Sequence, residues 1–322
     1  MDAQTKSWSP DLVSYLGLDM DKLAPLKPST EVLGGVTAEA AKLTGLKAGT
    51  PVVVGAGDML CMLVSAGLTE PGRAADITGT ASIMAVYVDE PVTDPRLMNL
   101  HHAIPGWIPF GISDSGGGAL KWFKDNFCHT EAELAAQSGR DVYDILSPMA
   151  SRAEPGSEGL LFFPYLMGER SMGSPFARGV FFGLTPRSDK GTLVRAIMEG
   201  VTFELRRTLE IVEAAGNQVD RVYTIGGGAR SDLWSQIKAD IYQRPVHTFE
   251  ASEGGILGAA ILAGVGAGVY PDVRSAAEQG LHLDKTFVPD PFRGGRYDYL
   301  YGLFLNIHDR LQEPFNQLAG IP

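Results

Sequence analysis

Asp58 stands directly after Gly55-Ala56-Gly57, where a short apolar run at residues 51–54 gives way to the helical pattern MLCMLVSAGL. An aspartate in that place can cap a helix by accepting hydrogen bonds from first-turn amides. It can also serve as a general base at the mouth of a cleft, taking a proton from a substrate hydroxyl during phosphoryl transfer. The two roles are compatible. Three strand ends carry glycine turns: Gly79-Thr80, Gly116-Gly117-Gly118 and Gly226-Gly227-Gly228. Where a strand hands over to a helix through glycine, backbone N–H groups and the helix N-terminus aim at one place, which suits an anion and phosphate above all. Any one such turn can be plain chain reversal, but three in one chain favour the anion. No Gly-Lys-Ser or Gly-Lys-Thr occurs and GGGARS lacks the GxGxxG spacing, so the phosphate logic is neither that of a P-loop nor that of a dinucleotide fold.

Other reactive residue types read more plainly. His101-His102 has no carboxylate or cysteine at ligand spacing, and a strand-end pair is the simpler reading. Glu169-Arg170 suits either a substrate contact or an ion pair steadying its loop. Trp122, Phe123 and Phe127 fall at helical spacing and belong to a core, and Phe162, Phe163, Phe181 and Phe182 are expected to cover a sheet.

These residues need elements to hold them. Up to about Thr50 the chain reads as short helices and turns, with Ser9-Pro10 and Thr37 as helix starts and too few apolar residues for a domain of its own. Two alternating runs, residues 73–78 and 82–88, joined by Gly79-Thr80-Ala81, give a hairpin. Residues 107–113 form a third strand, which runs into the triple glycine and the amphipathic helix ALKWFKDNF. Residues 131–188 read as irregular, and residues 189–215 as one long helix. Strand 221–225 then leads through the last triple glycine into helix 231–241. Strand 246–249 leads through Glu253-Gly254-Gly255 into a glycine-rich helix expected to pack closely on the sheet. Successive strand–helix units imply parallel pairing with right-handed crossovers. The chain closes on a helix from Pro291 with a wide aromatic face. The fold class is α/β, a mixed sheet flanked by helices.

Composition bounds what partners are possible. A chain of 322 residues buries a full core, and its 39 glycines stand well above average use. The formal net charge of −11, with no basic cluster, speaks against nucleic acid and anionic membrane as partners. Two cysteines 67 positions apart, Cys61 and Cys128, support neither a disulfide scaffold nor a zinc site and suit a reducing cytoplasm. The polar start MDAQTKSWSP has no apolar core of a secretory signal. The uncharged run 254–271 is crowded with glycine and reads as a buried helix rather than a membrane span.

The segments GAGDMLCMLVSAGL, DITGTAS, SGGGALKWF, FFPYLMGERSMGSPFARGVFFGLT with LVRAIMEGVTFELR, and IGGGARSDLWSQIKADIYQRPV with GGILGAAILAGVGAGVY together resemble the FGGY carbohydrate kinases, the xylulokinase branch above all. The likeness runs in order from about Leu12 to near residue 300. It implies the ribonuclease-H-like fold of the actin-like ATPase and sugar kinase superfamily. It further implies residues 1–55 as the remnant of an N-terminal domain otherwise lacking, and residues 56–322 as the C-terminal nucleotide-binding domain. The implied function is ATP-dependent phosphorylation of a sugar hydroxyl, xylulose first, weak in the isolated chain. The alternatives are a non-catalytic nucleotide module, or a kinase for glycerol, ribulose, fuculose or gluconate. By position Asp58 matches the catalytic base and, with Met59, the sugar site. Gly79 and Thr80 match the hairpin at the terminal phosphates, and Gly117 and Lys121 positions near the nucleotide. Gly227, Gly228 and Asp232 match the loop holding adenine and ribose. ATP and a magnesium ion (Mg2+) are the implied cofactors, and a separate N-terminal-domain chain or a second copy the implied partner. Met59, Ala81 and Thr192 depart from the family's usual residues, which bears on the substrate more than on the fold.

Overall fold

The computed structural model describes residue 2, residues 5–250 and residues 254–321. Helix α1 (Pro10–Tyr15) starts at Ser9, whose hydroxyl accepts the Leu12 amide, with Pro10 in the first turn, where its missing N–H costs nothing. Strand β1 (Val32–Gly35) pairs antiparallel with β2 (Pro51–Val53) across helix α2 (Ala38–Thr44), which Thr37 caps. Val13 is the one buried residue among those described up to Gly57, so this stretch has no core of its own, as its composition implies. It leans on the body where β2 meets a later helix.

Helix α3 (Asp58–Ser65) follows, then the hairpin β3 (Gly72–Thr78) and β4 (Ser82–Val86), then β5 (Met98–His101) and β6 (Trp107–Ser113). Helices α4 (Gly116–Phe127), α5 (His129–Ser138) and α6 (Tyr143–Ser151) lead to a small ladder, β7 (Leu161–Phe163) with β8 (Val180–Phe182), and to the long helix α7 (Lys190–Ala214). Asp189 caps α7 by accepting the Thr192 amide. The chain then alternates through β9 (Val219–Ile225), α8 (Asp232–Tyr242), β10 (Val246–Phe249), α9 (Gly254–Gly266), α10 (Val273–Gly280), β11 (Leu283–Phe287) and α11 (Pro291–Ala319).

Seven strands form one sheet in the order β11-β10-β9-β3-β4-β6-β5. The hairpin β3–β4 and its neighbour β6 pair antiparallel, while β3–β9 and β9–β10 pair parallel. Alternate residues serve opposite faces. Ala74, Met84, Val86 and Val222 point into the larger core, which α4, α7, α8 and α11 complete. Ala75, Ala85, Tyr87, Ile108 and Tyr223 point the other way, under α3.

Three expectations change. The stretch 131–188 is not irregular: it contains α5, α6 and the β7–β8 ladder, and Pro148 inside α6 had interrupted the helical pattern. Two strands that went unread from the sequence, β5 and β11, close the two edges of the sheet; both are short and largely exposed. The glycine-rich helix α9 packs on α3 rather than on the sheet; the approach is possible because Gly258 has no side chain, since a Cβ there would collide with the Cys61 carbonyl. It also leaves Ile256 and Leu257 exposed, and Glu253 of its expected start lies outside the described residues.

Candidate nucleotide site

The three glycine turns meet. Strand β3 ends at Thr78 and turns back into β4 within four residues, closed by the Gly79 amide on the Ala81 carbonyl at 2.9 Å. Both other turns lie against this bend. The Gly118 amide donates to the Thr80 carbonyl at 2.9 Å, and a Cβ at Gly117 would collide with the Gly79 carbonyl. A Cβ at Gly228 would come within 2.6 Å of the Thr78 methyl carbon. Gly226 takes φ +87°, a region side-chain-bearing residues rarely occupy, and this turns the chain from β9 toward α8. Glycine is therefore required here by close approach, to backbone at Gly117 and to the Thr78 side chain at Gly228, and not only by chain reversal.

A cavity of about 490 Å³ opens at this junction. Thr78, Gly79, Thr80, Gly117, Gly118, Gly227 and Gly228 contribute the turn side, and α4 adds Leu120 and Lys121. Helix α4 begins without a side-chain cap at Ser115; the Gly118 amide donates to the Thr80 carbonyl, which leaves those of Gly116 and Gly117 for an anion. Lys121 is on the rim, 2.5 Å from Asp125 one turn on, and Arg230 is exposed with no ion pair among the described residues. The opposite wall is one that reading the sequence missed: Asp141, Tyr143, Asp144 and Ser147 from α6 and its approach, with Met198 and Trp234 behind. The signal was present in Asp141, whose carboxylate accepts the Tyr143 amide at 3.0 Å and starts the helix. Burial pushes the Tyr143 phenol up, and the nearby carboxylates of Asp125 and Asp141 push it further, so it stays a neutral donor.

Of the residues singled out from sequence, Gly79, Thr80, Gly117, Lys121, Gly227 and Gly228 line this cavity. Asp58, Met59 and Asp232 do not. Both Asp232 carboxylate oxygens accept from Lys285 at 2.9 Å, which raises the lysine's pKa, and Ser231 lines the cavity in its place. Asp58 opens α3, across the sheet from α4, α7 and α8. Its Oδ1 accepts the Met59 amide at 2.7 Å; the residue is exposed and has no cation partner among the described residues. Gly57 occupies the cap position that Asp58 was expected to fill. Met59 is half-buried against the core beneath α3. Glu169 and Arg170 steady their loop: Glu169 accepts the Ser171, Met172 and Ser174 amides, and Arg170 forks onto Asp114.

A mixed sheet of this order, with glycine turns gathered at its strand ends, is shared with solved sugar kinases of the actin-like ATPase fold. The crystal structure of xylulose kinase from Rhodospirillum rubrum superposes with a TM-score of 0.88 at 32% identity, covering 98% of this chain and 63% of that one. That of gluconate kinase from Lactobacillus acidophilus gives 0.89 at 25% identity, covering 98% and 63%. Residues 74–267 match the FGGY family of carbohydrate kinases, C-terminal domain, and residues 1–65 match its N-terminal domain. The chain belongs to the FGGY family of carbohydrate kinases. The gluconokinase of Bacillus subtilis (strain 168) is 32% identical over 99% of this chain and 63% of its own length. An autoinducer-2 kinase of Yersinia enterocolitica is 37% identical over 90% and 56%. The chain thus spans less than two thirds of the length of these relatives. Because residues 1–65 match the N-terminal domain, the expectation that this domain is largely lacking is not supported.

Proposed function

We propose that the cavity takes ATP and that the protein transfers its terminal phosphoryl group to the hydroxyl of a sugar or sugar acid. The observation that carries this reading is the packing of two glycine turns onto the Thr78–Thr80 bend, which leaves bare backbone where side chains would otherwise fill the cradle. Phosphate oxygens are to be met by the first-turn amides of α4 and the bend, with Lys121 and Arg230 as the nearest cations. The α6 wall, with Tyr143, Asp144 and Ser147, suits the base and ribose. Among the described residues there is no group of three metal-binding side chains. A magnesium ion accompanying the phosphates fits this donor set, because Mg2+ keeps several waters and is held largely through the nucleotide. When bound, it neutralises charge on the phosphates.

In this reading the acceptor sits at the strand ends, between the cavity and the first residue of α3, and Asp58 takes the proton of its hydroxyl as the oxygen attacks the terminal phosphorus and ADP departs. Asp58 is exposed at the first residue of α3, where an acceptor can reach its carboxylate. Residues 1–55 are read as N-terminal-domain sequence and the remainder as the nucleotide domain. Xylulose and gluconate are the first acceptors to try, since kinases for both are among the similar proteins.

The test is calorimetric titration with ADP and ATP, then an ADP-coupled assay over xylulose, gluconate, ribulose, fuculose and glycerol. Nucleotide binding is expected in the wild type and in Asp58→Ala alike, with acceptor-dependent ADP release lost in the variant. Absence of any nucleotide binding would sink the reading.

A further inference from the structure

Beneath the cradle lies a group of polar side chains that the transfer itself does not use. Asp76 and Thr78 on β3, Thr224 on β9, and Lys238 and Tyr242 on α8 are all buried, Asp76 and Lys238 completely. Lys238 Nζ donates to Asp76 Oδ1 at 3.0 Å, to Thr78 Oγ1 at 3.0 Å and to Thr224 Oγ1 at 2.8 Å, which uses all three of its protons. The Thr78 hydroxyl donates to Asp76 Oδ1 at 2.5 Å and the Tyr242 hydroxyl to Oδ2 at 2.7 Å. A buried ion pair is poor value as a source of stability, since well-packed apolar residues of similar volume commonly do as well or better. Its presence calls for another reason.

The reason is legible in what Thr78 does with its two branches. Its hydroxyl is gripped from below by Asp76 and Lys238. Its methyl carbon is the atom that Gly228 meets at 2.6 Å and Gly117 at 3.6 Å, measured to the Cβ each glycine lacks. With the hydroxyl pinned, χ1 is fixed and the methyl becomes the spacer between the two glycine turns. The Lys238 ammonium also sits 5.4 Å from the ring centre of Trp234, which lines the cavity.

We propose that Lys238 and Asp76 are positioning residues for the phosphate cradle: by clamping the Thr78 hydroxyl they set the separation of the glycine turns, and hence the affinity gained from each phosphate. This rests on reading the cavity as a nucleotide site. The pair needs no contact with the nucleotide. Burial pulls the Lys238 pKa down and Asp76 pulls it back up, so the two charges depend on each other for survival in the core.

The experiment compares adenosine, ADP and ATP by titration in the wild type, Lys238→Met, Lys238→Met with Asp76→Asn, and Thr78→Val. Loss of positioning lowers the ADP-to-adenosine affinity ratio, on the order of tenfold, and leaves adenosine binding alone. A merely structural role would lower stability or the active fraction and leave that ratio at its wild-type value. In the double variant no unpaired charge stays buried, so melting is expected to recover while the ratio stays low. Thr78→Val keeps the ion pair and the side-chain volume and removes only the gripped hydroxyl. It gives the same reading if Lys238→Met fails to fold. Wild-type ratios in folded Lys238→Met, or in Thr78→Val, overturn the proposal. A wild type that binds none of the three ligands overturns instead the reading of the cavity on which it rests.

Discussion

His102 shows how one side chain can set a pH limit on the whole fold. It is 2% exposed, its Nε2 meets the Leu68 carbonyl at 2.9 Å, and its Nδ1 is buried with no partner. Burial pushes its pKa from 6.5 down to about 4. The native state therefore keeps the ring neutral while the unfolded chain takes up a proton first as pH falls. The stability tied to this ring is fully present above about 6.5 and is lost progressively toward pH 4, by roughly 3 kcal/mol in all. Urea midpoints at pH 7.5 and 4.5 check this: His102→Gln is expected to shrink the difference seen in the wild type. Equal drops in both proteins would place the acid sensitivity elsewhere. The residues read from sequence divide by what determines them. The glycine turns could be read as a group, and at Gly117 and Gly228 the missing side chain reflects a close approach. Asp232 was not legible, because its partner Lys285 is remote in sequence and lies on β11, a short, exposed edge strand.

At the scale of elements, the closest approach is that of α9 to α3. Gly258→Ala would press a methyl into the Cys61 carbonyl, and an overpacked contact of this kind costs about 1–3 kcal/mol. Because α3 carries Asp58 at its first residue and the cavity lies on the other face of the sheet, the separation should divide two readouts. Nucleotide affinity is expected to hold while the denaturation midpoint and acceptor-dependent turnover both fall; a matching loss of nucleotide affinity would contradict this layering. The hairpin, the parallel β9–α8–β10 unit and the long α7 were legible because alternation, glycine and apolar residues at helical spacing mark them locally. Helix α6 was not, since Pro148 sits inside it. The cavity's second wall stayed hidden with it.

Across the molecule, no described helix is long and apolar enough to cross a membrane. The hydrophobic side chains left exposed include Leu12, Leu16, Leu33, Leu43 and Val52, all in the stretch that matches the N-terminal family domain. The centre of the sheet has a different consequence, one of timing. Strand β3 lies between β4, its immediate successor, and β9, which is made far later; the ion pair that locks β3 to α8 joins residues 162 positions apart. Until β9 leaves the ribosome, β3 presents an open, apolar edge, the kind of edge that recruits other chains. A fragment ending after α7 is expected to associate and precipitate, whereas the full chain, with β9, β10, β11 and α11 in place, stays dispersed on size-exclusion chromatography. The strand that carries the Thr78–Thr80 bend is thus also the one whose partner comes last, so completion of the cavity and escape from aggregation depend on the same late segment.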